Sequence, residues 1–117
     1  MAPPTLFPLG GRRIFVAGHN GMVGSALVRR LAEEECRILT VGRDAVDLRD
    51  QAAVNYWFDE HRPEAVLLAA ARVGGIHEND THPGDFLYDN LAIANNVIEA
   101  SRRTGVAKLM FLGSSYI

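Results

Sequence analysis

The chain has 117 residues, enough for one domain with a real core, and 48% apolar against 22% charged content is ordinary for a globular protein. A net charge of −2 leaves no basic surface for nucleic acid or membrane, and no stretch approaches the about 18 consecutive apolar residues that a membrane-spanning helix needs. The single cysteine, Cys36, excludes an internal disulfide; at the start of a predicted strand it reads as a buried, inert thiol in a reducing, cytoplasmic compartment.

Residues 1–12 read as a leader, expected to be disordered or loosely packed: three of the five prolines fall there, without the apolar run of a signal peptide. Residues 13–117 are expected to form the folded unit. Arg13-Ile14-Phe15-Val16-Ala17 is short and apolar, as a buried parallel strand is. Gly18-His19-Asn20-Gly21-Met22-Val23-Gly24 follows at once and leads into a helix. In that helix Val23, Ala26, Leu27 and Leu31 mark the apolar face, and Arg29, Arg30, Glu33, Glu34 and Glu35 the solvent side. Strand, glycine triad and helix together read as a dinucleotide site. Gly18 permits the tight turn, Gly21 carries no Cβ to hold a pyrophosphate away, and Gly24 lets the helix pack closely. The helix N-terminus offers free N–H groups and a partial positive charge to phosphates. A glycine triad alone also fits a plain turn; the flanking strand and helix select the dinucleotide reading.

A second strand is predicted over 37–41, ended by Gly42-Arg43-Asp44. Asp50 is placed to cap a helix through Ala53, Val54, Trp57 and Phe58 that stops before Pro63. Residues 65–70 read as a third buried strand, and 72–82, with Gly74 and Gly75, as a loop over the strand ends. His77, Glu78 and His82 in that loop lack metal-ligand spacing, so no metal is expected. Asn79-Asp80-Thr81 fits a glycosylation sequon but, without a secretory signal, reads as a chance triplet. A long helix is predicted from Pro83, with Phe86, Leu87, Asn90, Leu91, Ala94, Val97 and Ile98 on its apolar face and Gly105 as its stop. Residues 108–112 read as the fourth strand. The alternation predicts an α/β fold: a Rossmann-type, doubly wound parallel sheet in the order 3-2-1-4, truncated after the fourth strand. That strand would be left as a sheet edge, so the chain reads as the front of a longer enzyme.

At the end of the second strand an acid would bind ribose hydroxyls and favour NAD, whereas an arginine accommodates the 2′-phosphate of NADP. Arg43 stands there, either in that role or as a solvated cap, and Asp44 beside it is a turn residue. Ala69, Ala70 and Ala71 at the end of the third strand permit close approach of a cofactor, though a crowded core would also select alanine. Ser114 ends the fourth strand, where the ligand crevice of such a sheet lies; Gly-Ser-Ser there also fits a polar loop.

Four segments together resemble the GDP-L-fucose synthases, extended short-chain dehydrogenases of the epimerase/dehydratase kind. They are residues 16–26 around Gly18-His19-Asn20-Gly21-Met22-Val23-Gly24, then Arg43-Asp44 with Asp47-Leu48, then Leu68-Ala69-Ala70-Ala71-Arg72-Val73-Gly74-Gly75-Ile76, and Phe111-Leu112-Gly113-Ser114-Ser115. The resemblance implies the NADP(H)-binding portion of an enzyme that epimerises and reduces GDP-4-keto-6-deoxymannose; the alternatives are another NAD(P)-dependent nucleotide-sugar epimerase or dehydratase, or a non-catalytic, truncated nucleotide-binding module. It implies further that Arg43 contacts the 2′-phosphate and that Asp47 and Leu48 flank the adenine. Leu112, Gly113 and Ser115 join the cofactor site, and Ser114 is the catalytic serine at the 4-keto oxygen. Relatives of full length are implied to be homodimers, joined in part through the helix that begins near Pro83. The chain departs from the family at two positions. Asn20 stands where an arginine is usual, and Tyr116 where the family has an acid/base cysteine. The Tyr-x-x-x-Lys pair of the superfamily has no counterpart: Tyr56 is followed by Glu60 and Tyr88 by Ala92.

Overall fold

The computed structural model describes residues 7–70 and 83–112, with the backbone alone for 83–86. Ala71, the 72–82 loop and the Gly113, Ser114, Ser115 and Tyr116 positions lie outside the described residues. The elements run β1 (Arg13–Ala17), α1 (Met22–Leu31), β2 (Arg37–Leu39), α2 (Gln51–His61), β3 (Ala65–Leu68), α3 (Pro83–Thr104) and β4 (Lys108–Phe111). The three later strands are each one or two residues shorter than the sequence pattern predicts.

The four strands form one sheet, all pairs parallel, in the order β2-β1-β3-β4. This corrects the expected order 3-2-1-4. Between β2 and α2 the chain makes turns instead of leading to a strand beyond β2: the N–H groups of Ala45 and Val46 both donate to the Gly42 carbonyl. Helix α2 then carries the chain across β1, and β3 pairs on the far side, Ile14 opposite Ala65 and Ala17 opposite Leu68. Uniformly apolar strands announce burial and parallel pairing, but not the side of β1 on which each one falls.

The pleat of β1 divides the core between two faces. Phe15 and Ala17 point to α2 and α3, packing with Val54, Trp57, Phe58, Ile93, Val97 and Ala100. The Phe15 ring lies 4.3 Å from that of Trp57 and 5.6 Å, edge-on, from that of Phe58. Ile14 and Val16 point the other way, to Leu27, Val28 and Leu31 of α1. The centre of the sheet is therefore covered on both sides, as in doubly wound folds, while β4 at its edge is largely exposed. Residues 7–12, expected within a loose leader, pack here as well: Phe7 and Leu9 join this second cluster, and Gly11 N–H donates to the Glu35 carbonyl at 3.1 Å.

Local signals set the helix ends. The Asp50 carboxylate accepts from the N–H groups of Ala52 (3.1 Å) and Ala53 (3.3 Å), capping α2. Arg62, at φ 47°, turns the chain out of α2 before Pro63, and Gly105, at φ 74°, does the same after α3. Two helix faces differ from expectation. On α1 the inward stripe is Gly24, Leu27, Val28 and Leu31, while Val23 and Ala26 are exposed. On α3 the inward stripe is Asp89, Ile93, Asn96, Val97, Ala100 and Ser101; Leu87, Leu91 and Ile98 face outward. Cys36 is half-buried, one residue ahead of β2, its thiol donating weakly to the Leu31 carbonyl at 3.5 Å.

Candidate cofactor site

Between β1 and β3 the connections leave in opposite directions, one through α1 to β2 and the other through α3 to β4. A crevice opens at the carboxyl ends of adjacent strands where this happens. Gly18 and Ala70 meet there. Ala69 N–H extends the pairing by donating to the Ala17 carbonyl at 2.9 Å, which brings the backbone of β3 under the first turn after β1. Gly18 has φ 89°, and a Cβ on it would sit 2.7 Å from Ala70 Cα and N, so both dihedral and space demand glycine. A Cβ on Gly24 would fall on the Gly18 carbonyl and lie 2.6 Å from its carbon. The helix thus packs against the glycine turn itself rather than against the strand.

Gly21 differs from these two. It is the N-cap of α1 with extended backbone, its N–H donates to Gly18 O at 3.2 Å, and a Cβ there would meet nothing closer than that oxygen at 3.6 Å. Packing among the described residues does not demand glycine here; an N-cap favours it mildly, and an approaching ligand would need the space. No side chain caps α1, no acid lies in its first turn, and among the described residues the N–H groups of Met22, Val23 and Gly24 have no acceptor. Met22 is 89% and Val23 51% exposed, so these donors border open solvent. His19 is half-buried and Asn20 exposed on the same turn. A helix terminus with bare N–H groups beside a glycine turn has the chemistry that suits an anion.

Arg43 lies in the turn after β2, exposed and without an ion pair among the described residues. Asp47 is exposed and tightly held. Its Oδ1 accepts from the Arg49 backbone N–H at 2.9 Å and from Nε at 3.0 Å, and its Oδ2 accepts from Nη2 at 2.9 Å. These bonds hold the Asp47 carboxyl below its usual range and raise the Arg49 guanidinium. Leu48 is half-buried against the core under α2 and α3, and its carbonyl accepts from Asn96 Nδ2 at 2.9 Å. On the far side of the crevice, Leu112 N–H donates to the Leu68 carbonyl at 3.1 Å. This carries β4 toward the same end of the sheet; its expected catalytic residue, Ser114, lies outside the described residues.

Arg49, Asp89 and Asn96 did not emerge from sequence reasoning. Arg49 Nη1 reaches the buried Asp89 carboxylate at 3.5 Å, so two polar residues of α3 hold the 47–49 segment. A signal was present: Asp89 and Asn96 share a helical stripe with Ile93 and Ala100, where a polar residue must have a partner. No cluster of three or more metal-ligating side chains occurs among the described residues, and no helix there is long and apolar enough to cross a membrane.

Residues 14–117 match the NAD dependent epimerase/dehydratase family. The chain is 53% identical over 112 residues to a GDP-L-fucose synthase of Sinorhizobium fredii, covering 96% of this chain and 36% of that protein. It is 47% identical to the GDP-L-fucose synthase of Escherichia coli, covering 91% of this chain and 33% of that one. Among solved structures, the GDP-mannoheptose C4 reductase from Campylobacter jejuni with NADP bound superposes with a TM-score of 0.83 at 39% identity, covering 88% of this chain and 33% of that chain. The chain thus spans about a third of the length of the curated relatives it matches. With a Rossmann-type sheet, a glycine turn at its switch point and a family match over nearly all of its length, the chain belongs to the NAD-dependent epimerase/dehydratase family.

Proposed function

We propose that this chain is the NADP(H)-binding portion of an enzyme similar to GDP-L-fucose synthase, acting on a GDP-linked 4-keto sugar of the GDP-4-keto-6-deoxymannose type. The observation that carries the reading is the contrast among the three glycines. Gly18 and Gly24 are required by the fold, whereas a Cβ on Gly21 would meet no described residue closer than the Gly18 carbonyl at 3.6 Å, which leaves that space to an approaching ligand. The N–H groups of Met22 to Gly24, without an acceptor among the described residues, suit the pyrophosphate, and the Arg43 guanidinium, without an ion pair among them, suits a 2′-phosphate. Asp47 and Leu48 are assigned to the adenine end, and Ala69, Ala70 and Ala71, with Leu112, Gly113 and Ser115, to the nicotinamide side. The cofactor supplies hydride when bound. Ser114 is assigned the 4-keto oxygen, where its hydroxyl would hold developing negative charge. Tyr116, in place of the family's cysteine, is a weaker acid and makes reduction the better supported half of the chemistry. Titration calorimetry tests the cofactor assignment. NADPH is expected to bind about 10- to 100-fold more tightly than NADH, the effect of one charge-assisted contact, and Arg43→Ala to remove the difference. Equal affinities in the parent chain would refute the assignment of Arg43.

A further inference from the structure

Asn96 is a buried amide, 7% exposed, in the middle of α3, and its side chain reaches 48 residues back along the chain to the Leu48 carbonyl. Seven residues earlier, two turns away on the same face, Asp89 is equally buried and pairs with Arg49. Arg49 in turn grips both oxygens of Asp47. The short segment 47–49 therefore hangs from α3 by two side chains, one through its backbone and one through its only cation. Within the segment, Asp50 N–H donates to the Asp47 carbonyl at 2.9 Å, closing a turn that does not fix its own position against the sheet. Among the described residues Oδ2 of Asp47 accepts a single hydrogen bond, which leaves it a lone pair facing an exposed surface.

We propose that Asn96, together with Asp89 acting through Arg49, is a positioning residue that sets the 47–48 segment at the height where Asp47 Oδ2 accepts the adenine amino group. This rests on the cofactor reading above. Neither α3 residue touches the cofactor; each acts through the loop it holds.

The test compares NADPH with its reduced hypoxanthine analogue, which carries a carbonyl in place of the adenine amino group, by fluorescence titration of the parent chain, Asn96→Ala and Arg49→Leu. The parent is expected to prefer NADPH, and each variant to bind NADPH about 3- to 10-fold more weakly while its preference over the analogue falls toward unity. A variant that weakens both dinucleotides by the same factor has only loosened the fold, and an unchanged preference in both variants overturns the proposal. A parent that binds both dinucleotides equally overturns it too. Arg49→Lys, which keeps a cation beside the buried Asp89 carboxylate but loses the two-pronged grip on Asp47, is expected to lower the preference in the same direction and remains decisive if Asn96→Ala or Arg49→Leu does not fold. A parent chain that binds neither dinucleotide refutes the cofactor reading itself and the proposal with it.

Discussion

Gly21→Ala separates a ligand requirement from a folding requirement. The added methyl would meet only the Gly18 carbonyl at 3.6 Å, ordinary van der Waals contact, and the residue is at φ −76°, where alanine is unstrained. The cost to stability is that of placing alanine rather than glycine at an N-cap, about 0.5–1 kcal/mol. In the cofactor site the same methyl would stand between α1 and the pyrophosphate. Overpacking of that kind costs about 1–3 kcal/mol, or roughly 5- to 150-fold in affinity. Gly24→Ala should invert the pattern, because its methyl would overlap the backbone of Gly18 and neither peptide can move without shifting β1 or α1. Thermal melting and NADPH titration on the two variants provide the readout. Gly21→Ala is expected to show a small shift in Tm with a large loss of affinity, and Gly24→Ala a large loss of Tm. If Gly21→Ala binds NADPH within twofold of the parent chain, the reading of the glycine triad is wrong.

Other outcomes follow from the same structure. Leu87, Leu91 and Ile98 on α3 and Met110 and Phe111 on β4 are exposed, Leu91 and Phe111 by more than half, so sedimentation velocity should show concentration-dependent association of the isolated chain. A sharp monomer at all concentrations would show that these faces are less adhesive than their area implies. The Arg13 backbone N–H, with the guanidiniums of Arg12 at 3.1 Å and Arg13 at 3.2 Å, holds the Glu64 carboxyl below its usual range. A depressed carboxylate contributes stability that is complete above the unfolded value of about 4.3 and is lost as pH falls through the folded one. Glu64→Gln should therefore flatten the acid limb of the stability profile below about pH 4.3 and lower stability at pH 7; an unchanged acid limb would discount the pair. The chain alone is expected to show no NADPH oxidation with GDP-4-keto-6-deoxymannose. It lacks the Tyr-x-x-x-Lys pair, and Lys108, its single lysine, opens β4 at the opposite end of the sheet from the cofactor turn. Turnover that disappears in Ser114→Ala would contradict this.

Elements governed by local chemistry are legible in the amino-acid sequence. The glycine turn, the Asp50 cap and the Gly105 stop each depend on a residue whose conformational or hydrogen-bonding preference is its own. Strand order is not legible there, because it turns on which edge of β1 accepts β3, and four apolar strands present similar edges. The inward face of α3 departs from its hydropathy pattern for a related reason. Hydropathy favours Leu87, Leu91 and Ile98, but the buried stripe includes Asp89, Asn96 and Ser101, whose polar groups are satisfied by Arg49, by the Leu48 carbonyl and by the Val97 carbonyl at 2.7 Å. A long-range partner makes a polar residue acceptable in a core, and only the fold reveals that partner. The candidate cofactor site is legible in outline through its glycines and Arg43; the hold of α3 on the 47–49 segment is not.

In the proposed complex an NADP(H) molecule lies across the β1–β3 switch point, with its pyrophosphate on the α1 terminus and its 2′-phosphate on Arg43. A crystal structure of the chain with NADPH tests this most directly. Phosphate oxygens are expected within hydrogen-bond distance of the Met22 to Gly24 N–H groups and of the Arg43 guanidinium. A cofactor bound elsewhere, or one whose pyrophosphate leaves those N–H groups bare, would contradict it.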